Sequence, residues 1–292
     1  MYKLIGITIT LILGSLYPPM VATAGTVAPI QSTASPYGLE PVDSVQLSGS
    51  DEDAADFNEN TLEDVQTIVN ETLTERQDLG DVSTIALDPS QLVLTEASTV
   101  RIYFISEGAG YQNSLGVYTG DSSDGLNGDA ALIFPNASTS GYVTQSTPLS
   151  AGDFVDLGPF ESGTQLNLFL IANGANGGEQ TYYTDMSLNG DGIDHFVVMA
   201  VPDSPYLLVG VEDLYGGGDK DYNDIVFVMD IGSTNAQQLI SNAVPLPGPV
   251  VALMAPLLLA FFAKVKGSPY TGHRRHINQF THALDGVGLK RV

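Results

Sequence analysis

Neither cysteine nor tryptophan occurs in the 292 residues. The missing cysteine excludes a disulfide framework, thiolate-ligated zinc, an iron–sulfur cluster and a cysteine nucleophile. Basic residues are scarce: ten Lys and Arg face 34 Asp and Glu, for a formal net charge of −24. Phosphate backbones are bound through Lys/Arg patches, so nucleic acid is excluded as a general partner. There is no Gly-rich phosphate loop and no βαβ alternation, which removes the nucleotide folds. What is present is 43% hydrophobic residues, enough to bury a core, and 31 Gly with 16 Pro, the turn content of an all-β domain.

The few basic residues are unevenly placed. Residues 25–243 contain 33 acids but only Arg76, Arg101 and Lys220 as cations. Residues 1–24 read as a secretory signal, with Lys3, an apolar run from Leu4 to Leu16 and the small-x-small site Ala22-Thr23-Ala24. At the other end, Val244-Pro245-Leu246-Pro247 leads into an apolar run over 250–263, followed by Lys264, Lys266, Arg274 and Arg275. That order of motif, apolar run and basic end resembles the PEP-CTERM sorting signal of exopolysaccharide-producing Gram-negative bacteria, with VPLP where VPEP is usual. The resemblance implies an exported protein at the cell surface, outer membrane or extracellular matrix. It also implies membrane contact through residues 250–263 and an exosortase-type processing enzyme as partner.

Residues 25–82 read as a Ser/Thr/Pro/Gly-rich linker followed by one acidic amphipathic helix. Thr61 and Asp64 suggest a capping box, Leu62, Val65, Val69 and Leu73 recur at helical spacing, and Gly80 stops the pattern, which predicts a helix over 62–78. Beyond it, short apolar runs predict strands over 99–106, 115–118, 131–134, 154–157, 165–171, 195–201, 206–211 and 225–229. Val100, Ile102 and Phe104 alternate with Arg101 and Tyr103, as in a half-buried strand. The expected fold class is all-β, a jelly-roll-like β-sandwich over 83–232. Residues 233–292 would be linker, apolar anchor segment and basic tail.

The stretch that carries chemistry runs from Val211 to Asp224. Glu212, Asp213, Asp219, Asp221, Asn223 and Asp224 fall between two apolar strands, behind Gly216-Gly217-Gly218. Asp219, Asp221 and Asn223 alternate, the spacing with which calcium loops supply their first three oxygen ligands. Glycines permit positive φ and close backbone approach, and without a cation the acids would repel one another. These six residues are therefore the candidate metal ligands and Ca2+ the candidate ion. An Asp/Asn/Gly-rich hairpin that only caps its own turns is the alternative. A second loop, 185–194, has the first half of a calcium-loop pattern, but Phe196 stands where the bidentate Glu belongs, so it fails as an EF-hand. His195 reads as structural.

Residues 211–229 resemble the bacterial domain of unknown function DUF4114, whose hallmark is a strand, Glu-Asp-Leu, a Gly-rich turn, Asp-x-Asp-Tyr-Asn-Asp and an apolar strand. The segments Glu107-x-x-x-Tyr111-x-Asn113-Ser114-Leu115-Gly116-Val117-Tyr118 and 168–174, with His195 after an Asn-Gly-Asp turn, extend the resemblance over about 95–231. It implies an exported surface or matrix domain with no settled activity. The expected function is a calcium-binding module with a structural or adhesive role, in contact with exopolysaccharide or cell-surface glycans. A carbohydrate-active hydrolase would use Glu107 with Glu212 or Asp213 as its carboxylate pair. A glycan-binding lectin would need an exposed Tyr215 or Tyr222 beside the loop.

Overall fold

Nine short runs of β-branched and aromatic residues form the strands of the computed structural model: β1 Ser98–Ser106, β2 Ser114–Thr119, β3 Ala131–Phe134, β4 Phe154–Phe160, β5 Leu166–Ile171, β6 Thr181–Tyr183, β7 Phe196–Ala200, β8 Tyr206–Val211 and β9 Ile225–Asp230. The structure describes residues 31–80, 87–120, 126, 129–139, 147–201 and 204–242. The stretches read from sequence as a signal, 1–24, and as an apolar anchor with a basic tail, 250–263 and beyond, lie outside the described residues. Among the described residues, no helix is long and apolar enough to cross a membrane. The chain divides into units at 1–240 and 241–292, and every strand belongs to the first.

The strands form two antiparallel sheets, one in the order β4-β1-β9-β8-β7 and one in the order β3-β2-β5-β6. Between them lies one core. Val100, Ile102 and Phe104 of β1, Val209 of β8 and Phe227 of β9 meet Leu115, Val117, Leu168 and Leu170 of the facing sheet. A β-sandwich is what the turn-punctuated strands call for. Its connectivity differs from the jelly-roll-like order expected: β7, β8 and β9 lie side by side as a meander in one sheet, and the described residues form nine strands where two Greek keys would give eight.

The expectation of a half-buried β1 is also corrected, because the outer face of the five-stranded sheet is covered. Two helices, α1 Glu52–Asn60 and α2 Leu62–Thr72, lie on it. Ala54, Phe57, Val65, Val69 and Leu73 bury against Tyr103, Ile105, Tyr206, Leu208, Val226 and Val228. Phe57 stacks on Tyr103 at 4.0 Å between ring centroids. The helix expected over 62–78 is present as α2 but ends at Thr72, and α1 precedes it as a second helix. Thr61 makes no side-chain capping bond; its N–H is held by Phe57 O, closing α1, and its carbonyl accepts from Val65 N–H, opening α2. The working N-cap is Asp51, whose Oδ1 accepts from Ala54 N–H at 2.8 Å. Asp51 also pairs with Arg101 at 2.8 Å, and Arg101 pairs with Asp156 of β4 at 2.6 Å while lying 4.1 Å above the Phe154 ring. The hydrogen bond from Arg101 holds the Asp51 carboxyl below its usual range. A third helix, α3 Ser233–Asn242, follows β9.

Residues 31–50 are not a free leader. Pro41 bridges Leu132 of β3, Gln46 bridges Phe154 of β4, and Gln31 Nε2 donates to the carbonyls of Asn136 and Thr147. Leu87 bridges Val198 of β7 in the same way. Three of the four sheet edges are thereby paired, which blunts edge-to-edge association.

One glycine tests the packing directly. Gly116 of β2 lies opposite Phe169 of β5, and a Cβ there would fall 2.1 Å from the Phe169 ring. Gly116→Ala is expected to cost about 1–3 kcal/mol through overpacking, read as a lower urea midpoint at unchanged m-value. A neutral result would mean that the ring has room to turn aside.

Candidate metal centre

The loop joining β8 to β9 is set by backbone geometry before any side chain is considered. Gly216, Gly217 and Gly218 have φ of 84°, 80° and 50°, and Lys220 and Tyr222 also take positive φ, 58° and 54°. Two turn bonds, Gly217 N–H to Leu214 O and Lys220 N–H to Gly217 O, close the curl at 2.9 Å each. Gly218 permits a close approach: a Cβ there would sit 2.6 Å from Glu212 Oε2. The consequence is a convergence of Glu212, Asp219 and Asp221, each with a carboxylate oxygen within 4.8 Å of the others.

The other three predicted ligands are placed differently. Asp213 and Asp224 pair with each other: Asp213 N–H donates to Asp224 Oδ2 at 2.8 Å, and the carboxyl groups themselves are hydrogen-bonded. Asn113, buried on the chain leading into β2, donates to Asp213 Oδ2 at 2.7 Å. Asn223 turns its Nδ2 onto Asp221 Oδ2 at 2.9 Å and so orients that carboxylate. Glu107, just beyond β1, accepts from the backbone and hydroxyl of Thr139 at 3.1 and 2.8 Å.

Charge makes this arrangement costly. Two like charges about 4 Å apart repel by about 4 kcal/mol at an effective dielectric of 20. Among the described residues, no ion pair within 4.0 Å reaches Glu212, Asp219 or Asp221. Burial, reinforced by Asp221 and Asp219, pushes the Glu212 carboxyl up to about 7. Burial and the Asp213 charge push Asp224 up to about 8. Asp213 and Asp221 are raised as well, chiefly by burial. Asp219 is the exposed member of the three.

A bracket of polar contacts supports the loop from beneath. His195 is fully buried and stacks on Tyr182 at 3.7 Å. Its Nδ1 faces Glu212 O at 2.9 Å and its Nε2 faces Asp191 Oδ2 at 3.0 Å. Asp191 also accepts from Gly216 N–H; burial opposes its ionisation, but these bonds hold it below the usual carboxylate range. Within the 185–194 loop, Asp185 caps its own turn through Ser187 N–H, and Asn189 bonds the backbone of Tyr183 and Ile193. Tyr222 is buried, its hydroxyl donating to Asp194 O, whereas Tyr215 is 65% exposed. The supporting roles of Asn113 and Asp191 have only faint sequence signals, a motif position and an i,i+4 spacing to His195.

A pH dependence follows with a definite sign. Between the ordinary carboxylate range and about 7–8, the folded chain keeps protons on Glu212 and Asp224 that the unfolded chain has released. Stability in EDTA is therefore expected to fall as pH rises from 5 to 8, by up to about 1.4 kcal/mol per pH unit for each such proton. The lowered acids, Asp51 and Asp191, act in the opposite sense but only at more acidic pH. Thermal unfolding across this range checks it; a flat or rising midpoint would show that neither group is protonated in the folded chain.

No curated protein and no solved structure matches the chain. Residues 160–232, which run from the last residue of β4 through β9 and contain the whole acidic loop, match the family model of a domain of unknown function, DUF4114.

Proposed function

We propose that the protein is an exported calcium-binding β-sandwich module that serves a structural or adhesive role at the cell surface. The observation that carries the reading is the convergence of Glu212, Asp219 and Asp221 within 4.8 Å, with no ion pair to offset them among the described residues. Hard divalent cations take oxygen ligands of this kind, and calcium tolerates the irregular geometry that magnesium does not. The Asp213–Asp224 pair extends the acidic cluster, near enough for the Glu212 charge to act on Asp224. The terminal signals supply the export and surface part of the reading, and extracellular calcium suits a site that binds at about 10⁻⁴–10⁻³ M. For a cysteine-free exported domain, an ion bound only to the folded state takes the place of a covalent staple.

The test is thermal unfolding of the full chain in EDTA, calcium and magnesium. Calcium at about 100 times its dissociation constant is expected to raise the midpoint by about 5–10 °C, with magnesium weaker. Asp219 makes no side-chain hydrogen bond among the described residues, so Asp219→Asn removes a ligand at little structural cost. That variant is expected to unfold at or above the wild-type temperature in EDTA, because a repulsion is relieved, and to lose the calcium response. A calcium shift that survives Asp219→Asn would move the ion elsewhere, and no shift at all would remove it.

One observation favours glycan contact at the same loop. Tyr215 is 65% exposed and braced by a hydrogen bond from its hydroxyl to Gly190 O, which leaves an aromatic face for a sugar ring. Tyr215→Ala is expected to lower retention on the producing organism's exopolysaccharide while leaving the calcium-dependent midpoint unchanged. Equal retention of both proteins would count against a lectin role. The hydrolase alternative gains nothing from Glu107, whose carboxylate is engaged by Thr139.

A further inference from the structure

The chain leaving α2 runs onto the acidic loop. Arg76 N–H donates to Asp221 Oδ2 at 2.6 Å and Leu79 N–H donates to Lys220 O at 3.0 Å. Asn223 Nδ2 reaches back to the carbonyl of Leu73, the C-cap of α2, at 3.5 Å. Arg76 adopts a φ of 60° to make its contact, a conformation that side-chain-bearing residues disfavour. Under the junction, β8 presents Gly210: a Cβ there would lie 2.4 Å from Tyr222 O and 3.0 Å from Leu73 Cδ1. The end of α2, the sheet and the loop therefore close on one point.

The two ends of the helical layer are held by different means. At the start of α1, Asp51 is fixed by the ion pair with Arg101, away from the acidic loop. At the end of α2, the acceptors belong to the loop in which Glu212, Asp219 and Asp221 converge. Asp221 has both duties, since its carboxylate is one of the convergent three and also accepts from Arg76.

We infer that cation occupancy of the β8–β9 loop is coupled to the docking of α2, with residues 73–80 as the link. The inference rests on the calcium reading above and deepens it. With an ion present, Asp221 and Lys220 are held where Arg76 and Leu79 need them, and α2 seals the outer face of the five-stranded sheet. With the ion removed, the carboxylates separate, the two N–H groups lose their acceptors and the end of α2 lifts from Leu208 and Val226 while α1 stays tethered by Arg101. Linkage is reciprocal, so a chain with weakened helix docking binds calcium less tightly by the same factor.

The experiment uses the full chain, with calcium binding measured by calorimetry and backbone exchange by hydrogen–deuterium mass spectrometry in calcium and in EDTA. Exchange over 62–80 is expected to be at least about fivefold faster in EDTA, with a smaller change over 51–57 and none in β1. Leu73→Ala, which trims the contact at Gly210 but removes no candidate ligand, is expected to lower calcium affinity about fivefold or more. Calcium binding with unchanged exchange over 62–80 overturns the coupling and leaves the calcium reading intact. Absence of calcium binding overturns both. Should Leu73→Ala not fold, the wild-type exchange comparison decides alone.

Discussion

The structure turns on mutual repulsion among carboxylates that the fold forces together. With both carboxylates charged, each close pair would cost an amount comparable to a large share of the roughly 5–15 kcal/mol by which domains are stable, so the charge state of the loop joining β8 to β9 bears directly on stability. Protons are one solution, the direction in which Glu212 and Asp224 are pushed; on the calcium reading a cation is the other. The surrounding features hold the acids in place against this force. Three glycines and two further residues at positive φ curl the chain, Asn113 fixes Asp213, Asn223 fixes Asp221, and His195 ties Glu212 O to Asp191.

The second constraint is the covering of both sheet faces. β8 is buried along its full length and β9 nearly so, because the facing sheet closes one side and α1 with α2 close the other. This is why Tyr103 and Tyr206, which alternate with core residues, are themselves interior. The loop is thus mounted on the two best-buried strands of the sheet, as a site needing fixed geometry requires.

Most strands were legible in the sequence because each is a short apolar run bounded by Gly, Asn, Asp or Pro, and their predicted bounds agree with the structure to within a few residues. β6, three residues long, offers no pattern to read; it exists because Thr181–Tyr183 pair with Phe169–Ile171. α1 was hidden by its acids: Glu52, Asp53, Asp56 and Glu59 mask a stripe of only Ala54 and Phe57, and tertiary packing on Tyr103 decides the outcome. The alternation at Asp219, Asp221 and Asn223 pointed to one centre, yet spacing does not reveal that Asn223 would spend its amide on Asp221, nor that Asp213 and Asp224 would pair. Those outcomes depend on Asn113 and on the parallel bridge between Val211 and Asn223, contacts between residues far apart in sequence or set by the turn itself.

Lys220 shows how the fold leaves this charge unresolved from within. It lies between Asp219 and Asp221, the one cation in the loop, yet it forms no ion pair among the described residues. Its backbone is committed to the curl, with φ at 58° and its carbonyl accepting from Leu79, and Arg101 is committed to Asp51 and Asp156. A lysine in the centre would neutralise one carboxylate permanently with a tethered monovalent charge. On the calcium reading, leaving the centre to a divalent ion makes the loop responsive to its surroundings, a response that extends through Arg76 and Leu79 to the helices covering the sheet.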